Sequence, residues 1–153
     1  MKIPESRKNR KRRRKAEKMY GRYRRSFRGV PEIEATQAVL LLGRNRIVFV
    51  DVRDPVEQVV SMLPGALTEE EFLQTSRGFG EKIILCYCTI GYRSGLFVKN
   101  YGPKYSDMYN LSGGLLLWLH AGGIVENNGT ETHQVHVYGR KWALQPDGYD
   151  AVF

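Results

Sequence analysis

"KIILCYCTIGYRSGLFVKNYG", residues 82–102, decides the fold. The apolar run ending at Tyr87 has the composition of a strand covered on both faces, as in the middle of a parallel sheet. "TIGYR" is too short to wander, so the chain must curl, and Gly91 permits backbone angles that a side chain would forbid. From about Ser94 an amphipathic helix is expected, stopped by Gly102 and Pro103. A strand passing directly into a helix through a tight loop is the repeating unit of α/β proteins.

Working outward, "RIVFVDV" (residues 46–52) is a second continuous β-branched run and "DMYNL" (107–111) a third strand. "VPEIEATQAVLLLG" predicts an extended entry and a short helix ending at Gly43, and "PVEQVVSM" a helix with Pro55 at its first position. "TEEEFLQTSRG" carries a capping box, Thr68 with Glu71, and closes at Gly78. "GGLLLWLHAGG" gives a further helix, in which Gly113 and Gly114 turn the chain and Trp118 fills core space. Strands alternating with helices at these intervals imply a parallel sheet flanked by helices on both faces. Beyond residue 123, "VHVYGRKW" alternates as an added edge strand would. Tyr138, Trp142, Tyr149 and Phe153 are expected to cover the core.

Cys88 stands at the carboxyl end of a predicted strand, where open parallel sheets bind ligands. A curled loop before a helix N-terminus directs backbone N–H groups at one centre and forms an anion cradle. Such surroundings, with Arg93 near, lower a cysteine pKa from about 8.5 into a range of roughly 3.5–7.5, which predicts a nucleophilic thiolate at neutral pH. The forked guanidinium of Arg93 would hold an oxyanionic substrate or leaving group beside the sulfur. A cysteine ending an apolar strand is more often a small core residue. Cys86, inside the strand, takes that plainer role; the loop, glycine, arginine and helix together single out Cys88.

The chain has 153 residues, 42% of them hydrophobic, enough for one core. Its net charge of +8 is unevenly spread: residues 1–28 hold 14 Lys or Arg against Glu5 and Glu17, a net +12, leaving −4 on the remainder. The expected organisation is a basic arm without fixed structure over 1–15, an amphipathic helix over 16–28 docked on the domain through Met19, Tyr20, Tyr23 and Phe27, a domain over 29–123 and a packed C-terminal extension over 124–153. No stretch reaches the roughly 18 apolar residues of a membrane helix. Two cysteines this close cannot build a disulfide framework, and His120, His133 and His136 are too scattered for a zinc site. An intracellular, reducing location is expected, cytoplasmic first, with a nuclear or mitochondrial address as alternatives suggested by the arm.

Three stretches resemble the rhodanese family of sulfurtransferases, in family order and spacing: "VDVRDPVE" with the following "LPGA", "CTIGYRS", and "LSGGLLLW". Residues 31–123 carry the likeness, and the later segments resemble a C-terminal extension of some bacterial single-domain members. The resemblance implies a rhodanese-like α/β fold and an enzyme carrying sulfur as a persulfide, without a cofactor. Cys88 matches the nucleophile, and Thr89, Ile90, Gly91, Tyr92 and Arg93 match the loop around the persulfide. The implied reaction takes a sulfane sulfur from thiosulfate or a low-molecular-weight persulfide and passes it to cyanide or a thiol. Asp51, Arg53 and Glu57 match family positions and are expected to brace the strand and the helix after it. Gln58, Ser61 and Met62 depart from the first motif.

Phosphatases and arsenate reductases of the same fold have one more residue between cysteine and arginine than the four found here, so they rank behind a sulfurtransferase. A non-catalytic interaction module recruited by its basic arm is the other alternative, although modules of that kind usually lose the cysteine. Residues 7–28 suggest RNA or an acidic protein as partner. With RNA, sulfur delivery to tRNA modification becomes conceivable.

Overall fold

The apolar runs form a five-stranded parallel sheet in a computed structural model that describes residues 3–75 and 78–153. In chain order the elements are α1 (Arg7–Tyr23) with a 3-10 turn (Arg24–Phe27), β1 (Glu32–Ile33), α2 (Ala35–Gly43), β2 (Ile47–Asp51), α3 (Pro55–Gln58), β3 (Leu67–Thr68), α4 (Glu69–Gln74), β4 (Ile83–Tyr87), α5 (Tyr92–Tyr101), β5 (Met108–Leu111), α6 (Gly114–His120), β6 (Val125–Asn127), β7 (Thr130–Thr132), β8 (Gln134–His136) and β9 (Asp150–Val152). The sheet order is β1-β5-β4-β2-β3, all pairs parallel. Two small sheets, β6 with β7 and β8 with β9, lie apart from it. Among the described residues no helix is long and apolar enough to cross a membrane.

Alternation along β4 separates two cores. Ile84 and Cys86 pack with Phe72 of α4 and Phe97 and Val98 of α5. Leu85 and Tyr87 face the other way, into the cluster that holds Ala16 and Tyr20 of α1, Ala38 of α2 and Trp118 of α6. Both faces of the sheet are therefore covered, as a parallel sheet requires. Burial pushes the Cys86 thiol pKa up, which keeps it neutral and inert.

The basic arm differs from its expectation. Instead of lacking structure to residue 15, the chain is helical from Arg7, capped by Ser6, whose hydroxyl accepts the Asn9 N–H at 3.0 Å. The charge run cannot pack on itself, but it finds partners elsewhere: Lys8 and Arg12 reach Asp147 of the C-terminal segment, and Arg13 pairs with Glu5 and Glu17. Burial of Ala16, Tyr20 and Phe27 then fixes the helix on the domain.

Other boundaries moved as well. The helix opened by Pro55 stops at Gln58 instead of reaching Met62, because the chain must turn there. Arg53 donates to the Ser61 carbonyl at 2.6 Å, Leu63 N–H donates to the Tyr87 hydroxyl at 3.0 Å, and Met62 exchanges backbone bonds with Glu126. α4 ends at Gln74, and Ser76 and Arg77 of its expected last turn lie outside the described residues. The alternating stretch after Gln134 is no edge strand of the main sheet; β8 pairs with β9. Tyr138 and Phe153, expected to cover the core, are 63% and 62% exposed.

Candidate active site

The site is built where β4 ends. Tyr87 is the last strand residue, and Cys88 begins the loop that enters α5. The loop is anchored from outside: Leu115 and Leu116, at the start of α6, donate their N–H groups to the carbonyls of Cys88 (2.9 Å) and Thr89 (3.1 Å). α6 can approach this closely only because Gly114 lacks a side chain; a Cβ there would overlap the Cys88 carbonyl oxygen. With its carbonyls tied outward, the loop turns at Gly91, whose φ of +99° is in the glycine region. Asn110 of β5 donates to the Gly91 carbonyl at 3.0 Å and to the Tyr20 hydroxyl at 3.1 Å, which couples α1 to the loop.

Cys88 itself is 1% exposed and forms part of the wall of a cavity of about 270 Å³. Among the described residues one loop amide, that of Gly91, donates to its Sγ, at 3.1 Å. The Ser94 hydroxyl lies 3.5 Å from the same sulfur. The sequence led us to expect several converging amides; the sulfur instead sits deep, where Gly91 N–H meets it, just ahead of the positive end of α5.

Asp51, Arg53 and Glu57 divide into two roles. Asp51 and Arg53 form a fully buried ion pair that also holds Tyr87 and the Ser61 carbonyl, a brace for the turn after α3. Glu57 does something else: both its oxygens bind Arg93, at 2.7 and 2.8 Å, and Thr89 Oγ1 lies 3.4 Å away. Burial alone would raise the Glu57 carboxyl pKa, but the hydrogen bonds from Arg93 and the Asp54 N–H, with the charges of Arg93 and Arg53, hold it below the usual range. Arg93, expected to hold an oxyanion, therefore reaches the cavity with its charge already matched.

Thr89, Ile90, Tyr92 and Arg93 line the cavity with Cys88. The remaining wall is Tyr23, Tyr138 and Trp142. Tyr23 comes from the end of α1, and the other two come from the C-terminal extension. Tyr23 stacks on Trp142 with centroids 5.6 Å apart, and Arg93 lies over the Tyr138 ring at 5.2 Å. His136, in the C-terminal extension, places Nδ1 3.9 Å from a Glu57 oxygen. The aromatics were visible in the sequence as apolar side chains in search of cover. No local pattern told that they converge on the loop rather than on the core.

No protein-family model matches the chain, and no curated protein matches it in sequence. Solved structures do. A thiosulfate sulfurtransferase from Pseudomonas aeruginosa superposes with a TM-score of 0.57 at 18% identity, over 76% of this chain and 23% of that one. A human single-domain sulfurtransferase gives 0.52 at 22%, over 60% of this chain and 97% of its own. A possible tyrosine phosphatase from Rhodopseudomonas palustris gives 0.53 at 23%, over 82% and 99%. The chain has the rhodanese-like α/β fold, shared by sulfurtransferases.

Proposed function

We propose that the protein is a sulfurtransferase that carries sulfur as a persulfide on Cys88. The observation that carries this reading is the Gly91 N–H bond to Cys88 Sγ at the wall of the cavity. A donor beside the sulfur, ahead of a helix N-terminus, meets the negative charge that develops there during sulfur transfer. Four residues separate Cys88 from Arg93, one fewer than in phosphatases and arsenate reductases of this fold, which favours one added sulfur over a tetrahedral phosphate. Two free cysteines agree with a reducing intracellular compartment, in which the thiol stays available.

In the first half-reaction the thiolate attacks the outer sulfur of thiosulfate. The new S–S bond joins Sγ to that sulfur, the old one breaks, and its electron pair leaves with sulfite. In the second, cyanide or a thiolate attacks the terminal sulfur, the Cys88–sulfur bond breaks, and thiocyanate or a new persulfide departs while the Cys88 thiolate is restored. Negative charge moves between sulfur atoms throughout, so preorganised donors such as Gly91 N–H and the Ser94 hydroxyl lower the barrier without a metal. Glu57 keeps Arg93 fixed in the wall, giving the cradle a rigid side. Incubation with thiosulfate and cyanide tests the reading: thiocyanate should form, and Cys88→Ser should abolish it. Turnover that survives the substitution, or hydrolysis of an aryl phosphate in its place, would overturn it.

A further inference from the structure

Thiosulfate is small and doubly negative, and beyond the Gly91 N–H the cavity gives it little unmatched positive charge. Arg93, the one cation in its wall among the described residues, is already neutralised by Glu57. What the wall offers is flat apolar surface: Tyr23, Tyr92, Tyr138 and Trp142, with neighbouring ring centroids 5.1 to 5.9 Å apart. Two of the four come from the extension and one from α1, so both segments outside the central domain contribute to the site's mouth. Resting on the persulfide reading, we infer that the donor is an organic sulfane compound bearing a flat aromatic group, held by these rings while its outer sulfur meets Cys88. For an arenethiosulfonate the step balances as before: Sγ bonds to the outer sulfur, that sulfur's bond to the sulfonyl sulfur breaks, and the electron pair leaves with the arenesulfinate.

The test compares kcat/KM for benzenethiosulfonate and thiosulfate, with cyanide as common acceptor. The wild type should favour the aromatic donor by about tenfold or more. Tyr138→Ala, at an exposed position that leaves folding intact, should shrink that preference about three- to tenfold, the worth of one aromatic contact, and Trp142→Ala should do the same. A wild type that favours thiosulfate, or a preference that neither substitution changes, overturns the inference while leaving the persulfide reading in place. Absence of thiocyanate from either donor overturns both.

A separate observation concerns α1. Lys8, Arg10, Arg12, Arg13 and Arg24 pair with Glu5, Glu17, Glu32 or Asp147. Arg7, Lys11, Arg14, Lys15, Lys18 and Arg22 are exposed and have no ion-pair partner among the described residues. At 3.6 residues per turn these six fall within about 100° of the helix circumference, along about 22 Å. The apolar side of the helix is spent on the domain, which leaves none to enter a membrane. The stripe holds no aromatic or aliphatic centre of the kind protein interfaces bury. Evenly spaced cations without such a centre match a phosphate backbone, and we propose that this face binds RNA along its phosphates. Binding of a labelled single-stranded RNA should weaken steeply with salt, and Lys11→Gln with Arg14→Gln and Lys18→Gln should cut the slope of log K on log salt by about 2. Failure to bind at low salt, a slope the triple variant leaves intact, or equal affinity for polyglutamate would overturn the proposal.

Discussion

Glu57 shows how much one residue decides. It is almost fully buried, and its ionised form is held by Arg93 and the Asp54 N–H. Because its folded pKa is depressed, the unfolded chain takes up a proton at higher pH than the folded one. The stability it contributes is therefore complete above about pH 4.3 and is lost as pH falls through the lower folded value. Glu57→Gln should cost about 1–3 kcal/mol at neutral pH and flatten the stability loss between pH 5 and pH 3, as denaturant unfolding at several pH values would show. An equal acid slope in wild type and variant would place the sensitive carboxylate elsewhere. Sequence showed Glu57 as a brace after β2. Its contact with Arg93 joins positions 36 apart in the chain, and only the parallel crossover brings them together.

At the scale of elements, the loop depends on α6 approaching it without a side chain in the way. Gly114 and Gly122 both have positive φ, +57° and +90°, but a Cβ at Gly122 meets open space whereas one at Gly114 meets the Cys88 carbonyl. Gly122→Ala should cost about 1–2 kcal/mol of backbone strain. Gly114→Ala should cost about 1–3 kcal/mol more, visible in thermal unfolding, and should depress sulfur transfer as well. Equal losses would mean that the loop accommodates the clash. The strands of this loop's surroundings were legible in the sequence because they are long apolar runs. β3, two residues long, was not, and β1 showed only as an extended entry: their pairing depends on neighbours and not on any period of their own. The alternating stretch in the extension misled for the opposite reason, since a period of two says that a strand exists and not which strand it pairs with.

On the scale of the whole molecule, the termini are part of the site. Phe27 packs so closely on Gly95 of α5 that a Cβ there would overlap its ring, and Tyr20 lies against Gly91, where a Cβ would come within 2.7 Å of it. Deleting residues 1–28 removes the buried Tyr20 and Phe27. At about 1.5–3 kcal/mol each, in a fold worth about 5–15 kcal/mol, the truncated chain should melt at least about 10 °C lower; an unchanged melting temperature would make the arm an appendage after all. The charge run hid this because a basic segment is bound only if its partners are supplied from elsewhere, and Asp147 lies at the far end of the chain. The most direct test of the account is mass spectrometry of the protein after exposure to a sulfane donor and removal of the excess. It predicts that the peptide containing Cys88 gains the mass of one sulfur atom, that the gain disappears on adding cyanide, and that Cys88→Ser never acquires it. A chain that gains no sulfur, or keeps the gain when Cys88 is replaced, would contradict it.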